Sequence, residues 1–199
     1  MIFNGKTMTA FGEFSGVAAE EDAILMRTIT NYVNNRITIL GDNAFRNCFE
    51  LLSVTMDNIE SMGTAALYSC TALKSFSAKS AITTGSSTFR GDTSLAELNF
   101  PSLKTIENQT FYDCKSLTKV HFPSLETIKA DAFTNCTGLT ALVLGATQVT
   151  LANVNAFTGS AIAKGTGFVY VPEGLVNTYK TTTNWSTYAS QIKSINELE

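Results

Sequence analysis

The sequence predicts a β-rich α/β solenoid, right-handed, with a parallel sheet on one face and short helical turns and loops opposite. Three observations carry that reading. Segments starting at Ile37, Ile59, Ala81, Leu103 and Leu125 align without a gap at a period of 22 residues. Two columns of that alignment are apolar in every copy, and each copy ends in the apolar/polar alternation of a half-buried strand.

The ninth position reads Phe45, Leu67, Phe89, Phe111 and Phe133, and the fifteenth reads Leu51, Leu73, Leu95, Leu117 and Leu139. The fourth (Leu40, Met62, Thr84, Ile106, Ile128), eighteenth (Val54, Phe76, Leu98, Val120, Leu142) and twentieth (Met56, Ala78, Phe100, Phe122, Leu144) are nearly as regular. A sixth, imperfect copy carries Phe157, Ile162, Val169 and Val171, interrupted by an insertion around Lys164 to Gly167. LTKVHF, Leu117 to Phe122, has the L-x-x-L-x-L spacing of leucine-rich repeats, and a period of 22 lies within their range. No coil buries its apolar edge alone, so the coils must stack at about 4.8 Å and share one core, turning each column into a ladder. In the stretch before the strand, for example DNAFRNC from Asp42 to Cys48, a short helical turn is expected, with the Phe tucked inward.

Positions sixteen, seventeen and nineteen then point outward and line the sheet, which is the candidate binding face. They hold Ser53, Thr55, Ser75, Ser77, Glu97, Asn99, Lys119, His121, Thr140 and Val143. These residues are small, mostly polar and short of aromatics, whereas protein hot spots favour Trp, Tyr and Arg.

Composition narrows the function classes. With 44% hydrophobic and 16% charged residues there is ample material for a core. A net charge of −3, with 14 Lys and Arg scattered singly, gives no footprint for a nucleic-acid backbone. Apolar runs such as Ala141 to Leu144 are far short of a bilayer span, so no membrane insertion is expected. MIFNGKTMTAFGEF has neither a basic leader nor an unbroken apolar stretch, so the chain reads as carrying no secretory signal; a processed surface protein, a virion component and a cytoplasmic protein all fit that.

The unit L-x-x-I-x-x-x-x-F-x-x-C-x-x-L-x-x-V-x-F-P resembles the BspA-like leucine-rich-repeat family, and LKTIENQTFYDCKSLTKVHFPS, Leu103 to Ser124, is its best copy. VPEGLVNTYKTTTNWSTYASQIKSI, from Val171, is similar to the segment that closes many such arrays, and EEDAILMRTITNYVNNRITILGDNAF resembles their opening segment. The resemblance spans about Glu20 to Ile195. It implies proteins of host-associated bacteria, often at the cell surface or secreted, linked to adhesion to host matrix proteins or other cells, with related arrays in prophage structural proteins. It implies no shared catalytic residue. Departures are Leu67 in the Phe column and Asp92 in the Cys column.

Solenoid ends need caps. Residues 1–36 and 172–199 are expected to supply them around a solenoid of residues 37–171. Pro172 can open a helix, and Leu175, Val176 and Tyr179 then share one helical face, as do Trp185, Tyr188 and Ile192. Glu20, Glu21 and Asp22 precede a helical run, Ala23 to Arg27, whose N-terminus they complement. Trp185 reads as capping core rather than as the centre of a ligand site.

Cys48, Cys70, Cys114 and Cys136 all occupy position twelve, so their even number follows from the repeat. They read as buried free thiols, in preference to Cys48–Cys70 or Cys114–Cys136 bridges or metal ligands, because in-register side chains point the same way. The sole histidine, His121, faces outward at position nineteen, so no Cys–His pair can form. No His-rich, C-x-x-C or Asp-rich loop suggests a metal, and GTGF, Gly165 to Phe168, lacks the lysine of a phosphate loop. No catalytic residue and no cofactor is assigned. The expected function is a non-enzymatic, monomeric module binding a protein or glycan; the alternative is a structural part of a prophage tail or cell-envelope assembly.

Overall fold

A computed structural model describes residues 2–3, 6–7 and 29–198. The predicted helical run at Ala23 to Arg27 and most of the predicted N-terminal cap lie outside them. Ile2–Phe3 and Lys6–Thr7 pair antiparallel.

Each coil contributes one strand to the main face, in the order β1 (Asn31–Val33), β2 (Ser53–Thr55), β3 (Ser75–Ser77), β4 (Glu97–Asn99), β5 (Lys119–Phe122), β6 (Ala141–Leu144), β7 (Phe168–Val171) and β8 (Ile192–Ser194). All pairings on this face are parallel and in register, Ser53 with Ser75 and Lys119 with Ala141, which is the 22-residue period made structural. β1 to β4 form one sheet and β5 to β8 another; the ladder is interrupted between β4 and β5. A second series of two-residue strands, Ile39–Leu40, Ser61–Met62, Thr105–Ile106, Thr127–Ile128 and Thr150–Leu151, runs along another edge, with Thr83 bridging Ser61 to Thr105.

Between these edges the chain turns as tightly as the sequence requires, but by a different device from the helical turn expected. Positions seven and eleven are left-handed in every coil: Asn43 and Asn47, Ala65 and Ser69, Ser87 and Gly91, Gln109 and Asp113, Asp131 and Asn135. Alternating handedness turns the amides of positions seven, nine and eleven toward the next coil. Asn43, Phe45 and Asn47 donate to the carbonyls of Thr64, Ala66 and Tyr68 at 3.0, 2.6 and 2.8 Å. A helix would have spent those donors along its own axis. The turns therefore form a ladder of their own, and backbone donors at this buried bend stay satisfied.

One continuous core runs from Tyr32 to Ile192. Phe89, Phe111, Phe133 and Phe157 stack at centroid distances of 5.4, 5.3 and 5.6 Å, with planes within 18°. The four cysteines are buried, and none is joined in a disulfide.

At the far end, Glu173–Leu175 and α1 (Val176–Thr181) lead into 3-10 turns at Trp185–Gln191. Trp185 packs on Phe157 at 5.9 Å and its indole N–H donates to the Val149 carbonyl at 2.7 Å. Tyr179 accepts from the Val149 amide at 2.7 Å, and Tyr188 bonds the Val154 carbonyl. The helical reading of the closing segment is corrected at Ile192: read on the Trp185 helical stripe, it lies in β8, because the strand pairs with β7 and extends the sheet by one place.

Candidate binding face

Two columns of the sheet look outward. The first runs Asn31, Ser53, Ser75, Glu97, then Lys119, Ala141, Phe168; the second runs Val33, Thr55, Ser77, Asn99, then His121, Val143, Tyr170, Lys193. Composition changes along them from small polar residues to charges and then to aromatics.

The polar end is paired within itself. Ser53 Oγ donates to Asn31 Oδ1 at 2.6 Å, Asn99 Nδ2 donates to Ser77 Oγ at 3.2 Å, and Ser77 Oγ donates to Asp57 Oδ1 at 2.6 Å. The Lys79 ammonium lies 2.6 Å from Asp57 Oδ2 and, with the Ser77 hydroxyl, holds that carboxyl below the usual carboxylate range. A ligand here would have to displace bonds already made. Ser75 and Thr55 are half-exposed beside a shallow depression shared with Glu97.

The other end differs. Lys119, His121 and Thr140 are exposed, while Val143, expected to be exposed, is buried at 3%. Its side chain does stand on the outer face, but Ala141 and Tyr170 bury with it and Phe168 and Leu198 cover the cluster. The cause is the insertion after Ile162. Ala141 pairs with Phe168, a step of 27 residues, so the chain bulges outward and returns in register carrying two aromatics onto the face. Phe168 and Tyr170 meet edge to face at 6.3 Å, and the Lys193 ammonium lies 4.0 Å from the Phe168 ring centre. With Lys119, Thr140 and Thr166 they bound a cleft of about 530 Å³.

Phe168, Tyr170 and Lys193 are absent from the residues singled out by sequence. The signal was there for the first two, because Val169 and Val171 were already placed inward and their neighbours in a strand must point out.

Chemically, the cleft offers aromatic surface, hydroxyls, the Lys119 ammonium and a Lys193 ammonium that lies 3.9 Å from the Glu197 carboxylate, which also lines it, so it is suited to holding a ligand with both an apolar face and polar groups. None of the four cysteines lines it. The cysteines lie in the core, where burial pushes Cys114 and Cys136 up, and the Cys48 thiol with burial pushes Cys70 up. Such thiols are poor nucleophiles. Among the described residues, no three His, Cys, Asp or Glu side chains gather to hold a metal ion, and no helix is long and apolar enough to cross a membrane.

The model of the BspA type leucine rich repeat region matches residues 26–114 and 83–196, with six copies. No curated protein matches the chain. Among solved structures, a leucine-rich repeat protein of Bacteroides ovatus is similar at 24% identity and a TM-score of 0.64, over 84% of this chain and 42% of that one. The Treponema (T. pallidum) leucine rich repeat protein is 28% identical with a TM-score of 0.54, over 62% of this chain and 60% of that one. The pneumococcal vaccine antigen PcpA is 13% identical with a TM-score of 0.53, over 83% of this chain and 54% of that one. The first and last likenesses speak to fold alone, and the chain spans less than two thirds of each of these proteins.

Proposed function

Because this chain belongs to the BspA type leucine-rich repeat family, we propose that it is a non-enzymatic binding module whose ligand, a protein segment or glycan, lies on the sheet face at its aromatic end. The observation that carries the reading is the in-register continuation of the outward columns into Phe168, Tyr170 and Lys193. An apolar platform with a few convergent polar groups is the usual form of a ligand site, and the paired polar end is less suited to the role. The family's association with the surfaces of host-associated bacteria supports a surface or secreted location and an adhesive role.

The test is a screen of the purified chain against immobilised matrix proteins and a glycan array, repeated with Phe168→Ala and Lys119→Glu. Loss of a hot-spot aromatic should weaken a genuine ligand by about 2 kcal/mol, roughly thirtyfold in Kd. Ser75→Ala, at the polar end, should leave Kd unchanged. No binder at micromolar concentration, or a binder indifferent to both cleft variants, overturns the proposal.

A further inference from the structure

Position twelve of each coil is a two-way junction in the core. The thiols of Cys70, Cys114 and Cys136 donate to the carbonyls of Phe45, Phe89 and Phe111 at 3.0, 3.1 and 2.9 Å. Each therefore donates to position nine of the preceding coil. On its other side each sulfur meets an amide from position twelve of that coil: Asp92 N–H faces Cys114, and Cys114 N–H faces Cys136. A thiol carries one donor and an acceptor and meets both demands.

In the third coil the junction is Asp92, fully buried. Its Oδ1 accepts the Cys70 amide at 2.7 Å and so fills the acceptor role. Its Oδ2 has no partner. By the period, the carbonyl owed a side-chain donor is that of Leu67, at position nine of the second coil, which takes the Cys70 amide at 3.2 Å where its counterparts take an amide and a thiol. A carboxylate has only acceptors and would set a lone pair against that carbonyl, whereas the neutral acid carries the O–H that the thiols carry elsewhere. The titratable groups beside the site are the thiols of Cys70 and Cys114, which the Asp92 carboxyl pushes up, and at Asp92 itself only the Cys70 amide opposes the effect of burial.

Two further features lie one step on. The buried hydroxyls of Thr84 and Thr110 bond each other at 2.9 Å between the third and fourth coils. The sheet ladder is interrupted at that same step, between β4 and β5.

We infer that Asp92 sits in the folded chain as a neutral carboxylic acid, donating its proton to the Leu67 carbonyl, and makes the middle of the solenoid an acid-tightened joint. Burial pushes the Asp92 carboxyl well above the usual range, with the Cys70 amide opposing. The folded value thus exceeds the unfolded one of about 3.9. The stabilisation is complete below about pH 4 and is lost as pH rises through the folded value.

Asp92→Asn supplies the donor and the acceptor at every pH and is the reference. In urea unfolding from pH 4 to 8, the unfolding constant of the wild type relative to D92N should rise about tenfold per pH unit until the folded value is passed. Parallel curves would overturn the inference. In the intact wild type, the carbon-13 shift of the Asp92 carboxyl at pH 7 should be that of the protonated acid; a carboxylate shift overturns it without any variant having to fold. Amide exchange in β3 and β4, the strands of the two coils that Asp92 joins, corrected for intrinsic rates, should slow on acidification in the wild type and not in D92N, and equal behaviour in the two would remove the joint.

Discussion

Phe111 lies between the rings of Phe89 and Phe133, 5.4 and 5.3 Å away, with no exposed surface. Replacing it with alanine removes a ring that two coils share, and the neighbours, held by ladders at both edges, have little freedom to close the gap. The expected cost is about 3–5 kcal/mol, the range for truncating a packed aromatic. A calorimetric melt should show a clearly lower Tm for Phe111→Ala, and an unchanged melt would refute the ladder. At this scale the core was legible because the ninth and fifteenth columns are apolar in all five copies. The left-handed bends were not, because position seven holds Asn43, Ala65, Ser87, Gln109 and Asp131, five different residues in one conformation. There the stacked hydrogen bonds set the backbone and side-chain preference follows weakly, whereas position eleven, with Asn47, Gly91, Asp113 and Asn135, mostly holds residues such a φ favours.

Among the elements, the closing segment ties itself to the last coils through hydroxyls and an indole rather than through apolar contact alone. Burial pushes Tyr179 up to about 12 from its usual 10, the Val149 amide opposing. The value is raised, so the neutral phenol's contribution is present below about pH 10 and is lost as pH climbs through 12. Alkaline titration of the six tyrosines by absorbance should show Tyr32, Tyr188 and Tyr179, all raised by burial, ionising late with Tyr179 in the last phase, and Trp185 fluorescence should stay native until that last phase begins. A Tyr179 that ionises with the exposed tyrosines would argue against its packing. Here the sequence was half legible. Tyr179 and Trp185 announced themselves by spacing, but β8 did not, since IKS is too short to alternate visibly. Phe168 and Tyr170 were hidden because the inserted residues broke the count that had located every earlier outward position.

For the whole molecule, contacts run mainly between adjacent coils, so stability is close to a sum of coil and neighbour terms. Excising residues 59–80, a full period, should leave a cooperative fold one coil shorter, because the first and third coils then meet in the register each already has. Excising residues 59–69 should not, since a strand would land where a bend belongs. Circular dichroism and a thermal melt distinguish the two, and equal outcomes would deny that the 22-residue register governs the stack.

The register between coils makes the outer face a ruler. Each coil is one division of about 4.8 Å, and the hydrogen-bonded serines and asparagines stand at one end of the scale while Phe168 and Tyr170 stand at the other. Gain or loss of a coil slides those two ends apart or together by one division and leaves the chemistry of each untouched. Two contact zones at a set separation can thus be matched to spaced features of a ligand by counting coils, without altering a single side chain that touches it.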